Sequence, residues 1–68
     1  MAKFYYDKGG RNVYIKDIDF AQTKLTFTTN YEKAYVGRDG YYAAPLCEQI
    51  RRLFADDYPE VKGLQYTY

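Results

Sequence analysis

The sequence predicts a small α+β domain, an antiparallel sheet in the order β-β-β-α-α-β with one main amphipathic helix packed on one face. Three observations predict it: apolar residues alternate in short runs up to Thr28, turn-forming residues separate those runs, and between Tyr42 and Tyr58 the apolar period changes from strand-like to helical. The 68 residues make a single domain spanning 1–68. A domain of that size buries only ~60% of the surface its unfolded chain exposes.

Lys3 to Tyr6 is aromatic and favours a strand, and Asp7-Lys8-Gly9-Gly10 supplies residues that tolerate positive φ, the chemistry of a tight hairpin turn. From Asn12 to Ile18 the chain returns with Val13 and Ile15 on one face and Tyr14 and Lys16 on the other. Ile18 and Phe20 share the parity of Tyr14, which places a bulge or the strand's end near Asp17. A connection over 19–23 leads to Lys24–Thr28, where Leu25 and Phe27 point inward.

Thr29-Asn30-Tyr31-Glu32 reads as a capping box that opens a short helix ending near Gly37, with Ala34 and Tyr35 pinning it to the fold. Arg38-Asp39-Gly40 reads as a loop. The main helix then starts close to Tyr42 or Ala44, with Pro45 in its first turn, where a missing N–H leaves no bond unmade. Ala43, Leu46, Cys47, Ile50, Leu53 and Phe54 form its apolar stripe, and Tyr58-Pro59 ends it. Leu64 to Tyr68 alternates again as a last strand.

One helix leaves the other sheet face bare. By parity that face carries Tyr14, Lys16, Lys24, Thr26 and Thr28, joined by Tyr5, Gln65 and Thr67, with Arg11 in the first turn. Ten of the residues are tyrosine, a side chain with a large rigid ring and a polar tip that suits contact surfaces. The candidate binding surface is therefore Tyr5, Arg11, Tyr14, Lys16, Lys24 and Tyr66. Two uses compete with plain solvation of a strand face: contact with a protein, and stacking of single-stranded nucleic acid on the rings with lysines tracking phosphates. Ten Lys/Arg against nine Asp/Glu give a net charge of +1, too little for a long-range field toward nucleic acid or an anionic membrane.

Candidate catalytic groups are sparse. With no histidine and one cysteine, Cys47, a closed zinc site, an intramolecular disulfide and a Cys–His pair are all excluded. Cys47 falls on the apolar helix stripe beside Leu46 and Ile50. Arg51-Arg52 follows Glu48, which can pair with Arg52 one turn on. Asp17 with Asp19, and Asp56-Asp57 with Glu60, read as solvated carboxylates rather than acid–base or Mg²⁺ sites. Gly37-Arg38-Asp39-Gly40 lacks the length and lysine of a phosphate loop. No cofactor is expected, and the expected protein is not an enzyme. The start has no basic region followed by a long apolar stretch, and no run approaches the ~18 apolar residues of a membrane span. A cytoplasmic location is expected.

Tyr14-Ile15-Lys16-Asp17-Ile18-Asp19-Phe20, Thr28-Thr29-Asn30-Tyr31-Glu32-Lys33-Ala34 and Tyr58-Pro59-Glu60-Val61 resemble segments of small uncharacterised proteins of phages and prophages of Gram-positive bacteria. No residue role carries over from that group. The resemblance implies a class of role, stoichiometric binding of a host protein, as in inhibitors of host defence of the anti-CRISPR kind. Those inhibitors are often acidic mimics of nucleic acid, and this chain is not acidic. Blocking a protein surface is the form of inhibition its composition allows.

A thin core and open strand edges also make a homodimer the expected solution state. Light scattering after size exclusion should then return more than the chain mass of 8.1 kDa, and a mass near that value at every concentration would refute it.

Overall fold

A computed structural model describes residues 2–37 and 40–67. Strands β1 (Lys3–Lys8), β2 (Arg11–Asp19), β3 (Lys24–Thr28) and β4 (Gln65–Thr67) form one antiparallel sheet in the order β3-β2-β1-β4. Helix α1 (Gly40–Phe54) is the main helix, and single stretches of 3₁₀ helix occupy Tyr31–Lys33 and Pro59–Gly63. The α+β class and the packing of one helix on one sheet face are as the sequence predicts. The expected loop at Arg38-Asp39 and the end of the last strand at Tyr68 lie outside the described residues.

Local chemistry explains the first three strands. Gly9 and Gly10 take φ of 62° and 89°, and the Asp7 carboxylate accepts a 2.8 Å hydrogen bond from the Gly10 N–H. That turn sets Tyr5 opposite Tyr14 and Tyr6 opposite Val13. Between β2 and β3, Ile15 faces Phe27 while Asp17 faces Thr26, so Lys16 is an inserted residue. This bulge is the parity change seen in the sequence, and it sets Ile18 opposite Leu25, packed against the core. The strand does not end there but runs on to Asp19. In the connection to β3, Thr23 adopts φ 54°, and Asp19 Oδ1 accepts from the Gln22 N–H at 3.1 Å.

The segment after β3 differs from expectation. Asn30, not Thr29, caps it: Asn30 Oδ1 accepts from the Glu32 N–H at 3.0 Å, and Thr28 Oγ1 accepts from the Asn30 N–H at 3.0 Å. The helix expected to reach Gly37 is one 3₁₀ turn, because Ala34 is already extended at φ −70°, ψ 146°. The chain instead satisfies its backbone against the sheet. Tyr35 N–H donates to Ile15 C=O at 2.8 Å, and Ala2 and Gly37 exchange bonds of 2.6 and 3.4 Å. A Cβ on Gly37 would stand 3.3 Å from the Ala2 carbonyl oxygen, so glycine permits this close approach. Ala34 is buried, and the Tyr35 ring stacks 6.4 Å from Phe4, which gives the expected pinning without a helix.

Helix α1 begins at Gly40, ahead of the Tyr42 or Ala44 start, so Pro45 sits in the second turn and costs one backbone hydrogen bond. It ends at Phe54 rather than Tyr58, and Pro59 opens the unexpected 3₁₀ stretch that buries Val61. Ala43, Cys47, Ile50 and Phe54 are buried, Leu46 is half-buried, and Leu53, expected inside, is 51% exposed. The stripe is narrower than the composition of the helix suggested because a four-stranded sheet of short strands meets only one ridge of it. The helix side of the sheet contributes Phe4, Ile15 and Leu25, and Val61 and Leu64 close the core.

Two polar ties hold the layers. The Arg51 guanidinium donates to the Leu64 C=O through Nε at 3.1 Å and Nη2 at 2.6 Å, fixing the entry to β4. The Tyr58 hydroxyl accepts from the Leu25 N–H at 3.2 Å on the outer edge of β3, while its ring lies 5.7 Å from Phe27. Ile50→Ala should lower unfolding free energy by about 2–5 kcal/mol, as for other core truncations. Leu53→Ala should stay within about 0.5 kcal/mol of the parent in the same denaturant titration. Equal losses at the two positions would place Leu53 in the core and contradict this helix orientation.

Candidate protein-contact surface

On the sheet face away from α1, side chains of odd-numbered β1 residues meet Asn12 and Tyr14 of β2, which lie before the bulge, and the even-numbered residues of β3 extend the same face beside Tyr14, Asp17 and Asp19. Tyr5 and Tyr14 are direct cross-strand partners with ring centroids 5.8 Å apart. Tyr31, delivered by the capped 3₁₀ turn, sets its ring edge-on to Tyr14 at 5.4 Å. The three rings form one row, stabilised by contacts of the kind that add ~0.5–1.5 kcal/mol per aromatic pair.

Polar contacts fix both ends of this row. Lys3 Nζ donates to the Tyr31 C=O at 2.7 Å and stands 3.7 Å from the centre of the Tyr31 ring, a cation–π contact. Tyr5 OH donates to Gln65 Oε1 at 3.2 Å. Tyr5 and Tyr14 are half-buried by these neighbours, and Tyr31 is 42% exposed. The result is a preorganised aromatic surface, in which little side-chain freedom is left to lose on contact.

Of the residues predicted for this surface, Tyr5 and Tyr14 are brought together on it. Lys24 is exposed at the other end of β3 from Thr28, opposite Asp19, and Lys16 is exposed at the bulge. Tyr66 is a correction: it pairs with Phe4, a core residue, and packs partly buried on the helix side. Arg11 is a second correction. It opens β2 opposite Lys8 with the parity of Val13 and Ile15, which turns it to the helix side as well. Lys3, absent from the residues predicted for this surface, joins it against Tyr31, and its parity with Tyr5 is visible in the sequence. Tyr31 had no such signal, since its place depends on the chain doubling back after β3.

Other candidate groups have structural settings. Cys47 is buried, its thiol donates to the Leu64 C=O at 3.5 Å, and burial raises its pKa, with Arg51 opposing and Glu48 adding. It is thereby kept as an unreactive thiol. Burial also raises the pKa of the Tyr6 phenol, and the Glu60 charge adds to the rise. Glu48 accepts from Arg51 at 3.0 Å and reaches Arg52 at 3.8 Å, so the expected i,i+4 pair is the looser of two. Among the described residues no group of three or more His, Cys, Asp or Glu side chains is placed to hold a metal ion, and no helix is long and apolar enough to cross a membrane.

No family model matches the chain, and no curated protein or solved structure is significantly similar to it.

Proposed function

We propose that the protein acts by stoichiometric, non-catalytic binding of another protein through the face that carries Tyr5, Tyr14 and Tyr31. The observation that supports this reading is the fixed row of three rings on the sheet side that α1 leaves bare. Tyrosine contributes much contact area at small entropic cost and is enriched where binding energy concentrates. The partner in this reading is a host protein, and the role is inhibition of a host defence component, as the resemblance of the sequence to small proteins of Gram-positive phages implies. A second copy of the chain is the other protein that this face suits, which ties the expected homodimer to the same surface.

The geometry favours a protein over single-stranded nucleic acid. Stacking platforms need cations beside the rings to follow phosphates. Here Arg11 faces the other way, the Lys3 ammonium is engaged with Tyr31, and the outer side of β2 and β3 alternates Asp17 and Asp19 with Lys24.

Affinity capture from a Gram-positive lysate, with and without nuclease, tests the proposal, with the parent chain, Tyr14→Ala and Lys62→Ala run in parallel. One protein should be retained at near-stoichiometric yield by the parent and by Lys62→Ala, and Tyr14→Ala should lose it by tenfold or more, as for a hot spot of about 2 kcal/mol. Undiminished capture by a folded Tyr14→Ala chain would remove the tyrosine face from the account. Capture abolished by nuclease would transfer the face to nucleic acid.

A further inference from the structure

The helix covers only part of its side of the sheet. Beyond its reach, near the β1–β2 turn, lies an open groove of about 580 Å³ that crosses β1, β2 and the end of β3. Its floor is apolar: Tyr6, Val13 and Phe27, with Tyr6 and Phe27 in edge-to-face contact at 5.7 Å. Its rim holds two cations, Lys8 and Arg11, and the side toward β3 ends at Thr29.

Lys8 and Arg11 are direct cross-strand partners. Like charges in that position oppose each other and weaken the hairpin. No carboxylate relieves them among the described residues: the ion pairs formed are those of Arg51 and Arg52 with Glu48, and the adjacent Asp7 carboxylate is turned onto the Gly10 N–H. Two uncompensated cations at one point of a groove match a doubly charged anion, which a phosphate monoester is and a carboxylate is not. Arginine adds a planar fork suited to phosphate oxygens. The apolar floor matches a flat ring attached to that phosphate, and the volume falls within the range of small-ligand sites.

We propose that this groove binds a phosphate monoester carried on a flat aromatic body, of the nucleoside monophosphate class, with the phosphate between Lys8 and Arg11 and the ring against Tyr6 and Phe27. The site lies on the opposite side of the sheet from the tyrosine row and does not depend on what that row binds.

The test is a titration of the labelled protein by two-dimensional amide NMR at low salt, with AMP, adenosine and inorganic phosphate as separate probes. AMP should give saturable shifts concentrated at Gly9, Arg11, Val13, Phe27 and Thr29. Adenosine and inorganic phosphate should each bind about tenfold more weakly or less, since each lacks half of the recognition. Lys8→Gln and Arg11→Gln should each weaken AMP by about tenfold, with the rest of the spectrum unchanged because both side chains are exposed. Absence of saturable shifts at millimolar AMP, affinity in both variants equal to that of the parent, or shifts centred on Tyr5, Tyr14 and Tyr31 would overturn the proposal. Inorganic phosphate binding as tightly as AMP would overturn its aromatic half.

Discussion

One helix can cover one side of a four-stranded sheet, and this constraint governs the molecule. Among the described residues no second helix of comparable length closes the other side. Everything apolar that the strands offer is therefore sorted by parity, with Phe4, Tyr6, Val13, Ile15 and Leu25 going under or beside α1. What remains outside must be soluble and still stabilise the sheet. Tyrosine and threonine meet both demands, since their bodies pack across strands while their hydroxyls stay wet.

The same shortage of chain explains how the rest of the fold is tied. The chain between β3 and α1 spends its residues extending the sheet, through Tyr35 to Ile15 and Gly37 to Ala2, instead of forming a helix that would be too short to persist. At the other end, Arg51 anchors the carbonyl of Leu64 before β4, and Cys47 donates to the same carbonyl. The final strand can then be only Gln65–Thr67 and still pair with β1. Tyr58 performs a similar service on β3, where its hydroxyl occupies an outward N–H that an edge strand would otherwise expose. Polar side chains here take over work that a larger core would do by burial.

How much of this was legible in the sequence follows the range of the interactions. The Asp7–Gly10 turn, the alternation of Val13 and Ile15, and the parity break near Asp17 are local, and each was read where the structure has it. Leu25 and Phe27 likewise took the predicted side. Helix limits were less legible: Gly40 is a poor helix former and Pro45 lacks a donor, yet tertiary contact of Ala43 and Cys47 carries the helix through both. Leu53 reads as core by spacing, but only the sheet's width decides how broad a stripe is covered. The surface shows the same division. Tyr5 and Tyr14 follow from strand parity. Arg11 reads as a turn residue but opens β2 with the parity of Val13, and the side of Tyr66 depends on its pairing with Phe4 across 62 residues. Tyr31 joins the row through a turn geometry that a capping box at Thr29 would not have produced.

Solvent paramagnetic relaxation of the tyrosine ring protons reads out how the tyrosines are sorted between the two sheet faces. With a neutral gadolinium chelate in solution, Tyr31 and Tyr14 should relax faster than Tyr6, which is 8% exposed under the helix side. Strong relaxation of Tyr6 with protection of Tyr14 and Tyr31 would mean that the helix packs on the opposite face, and would contradict the account.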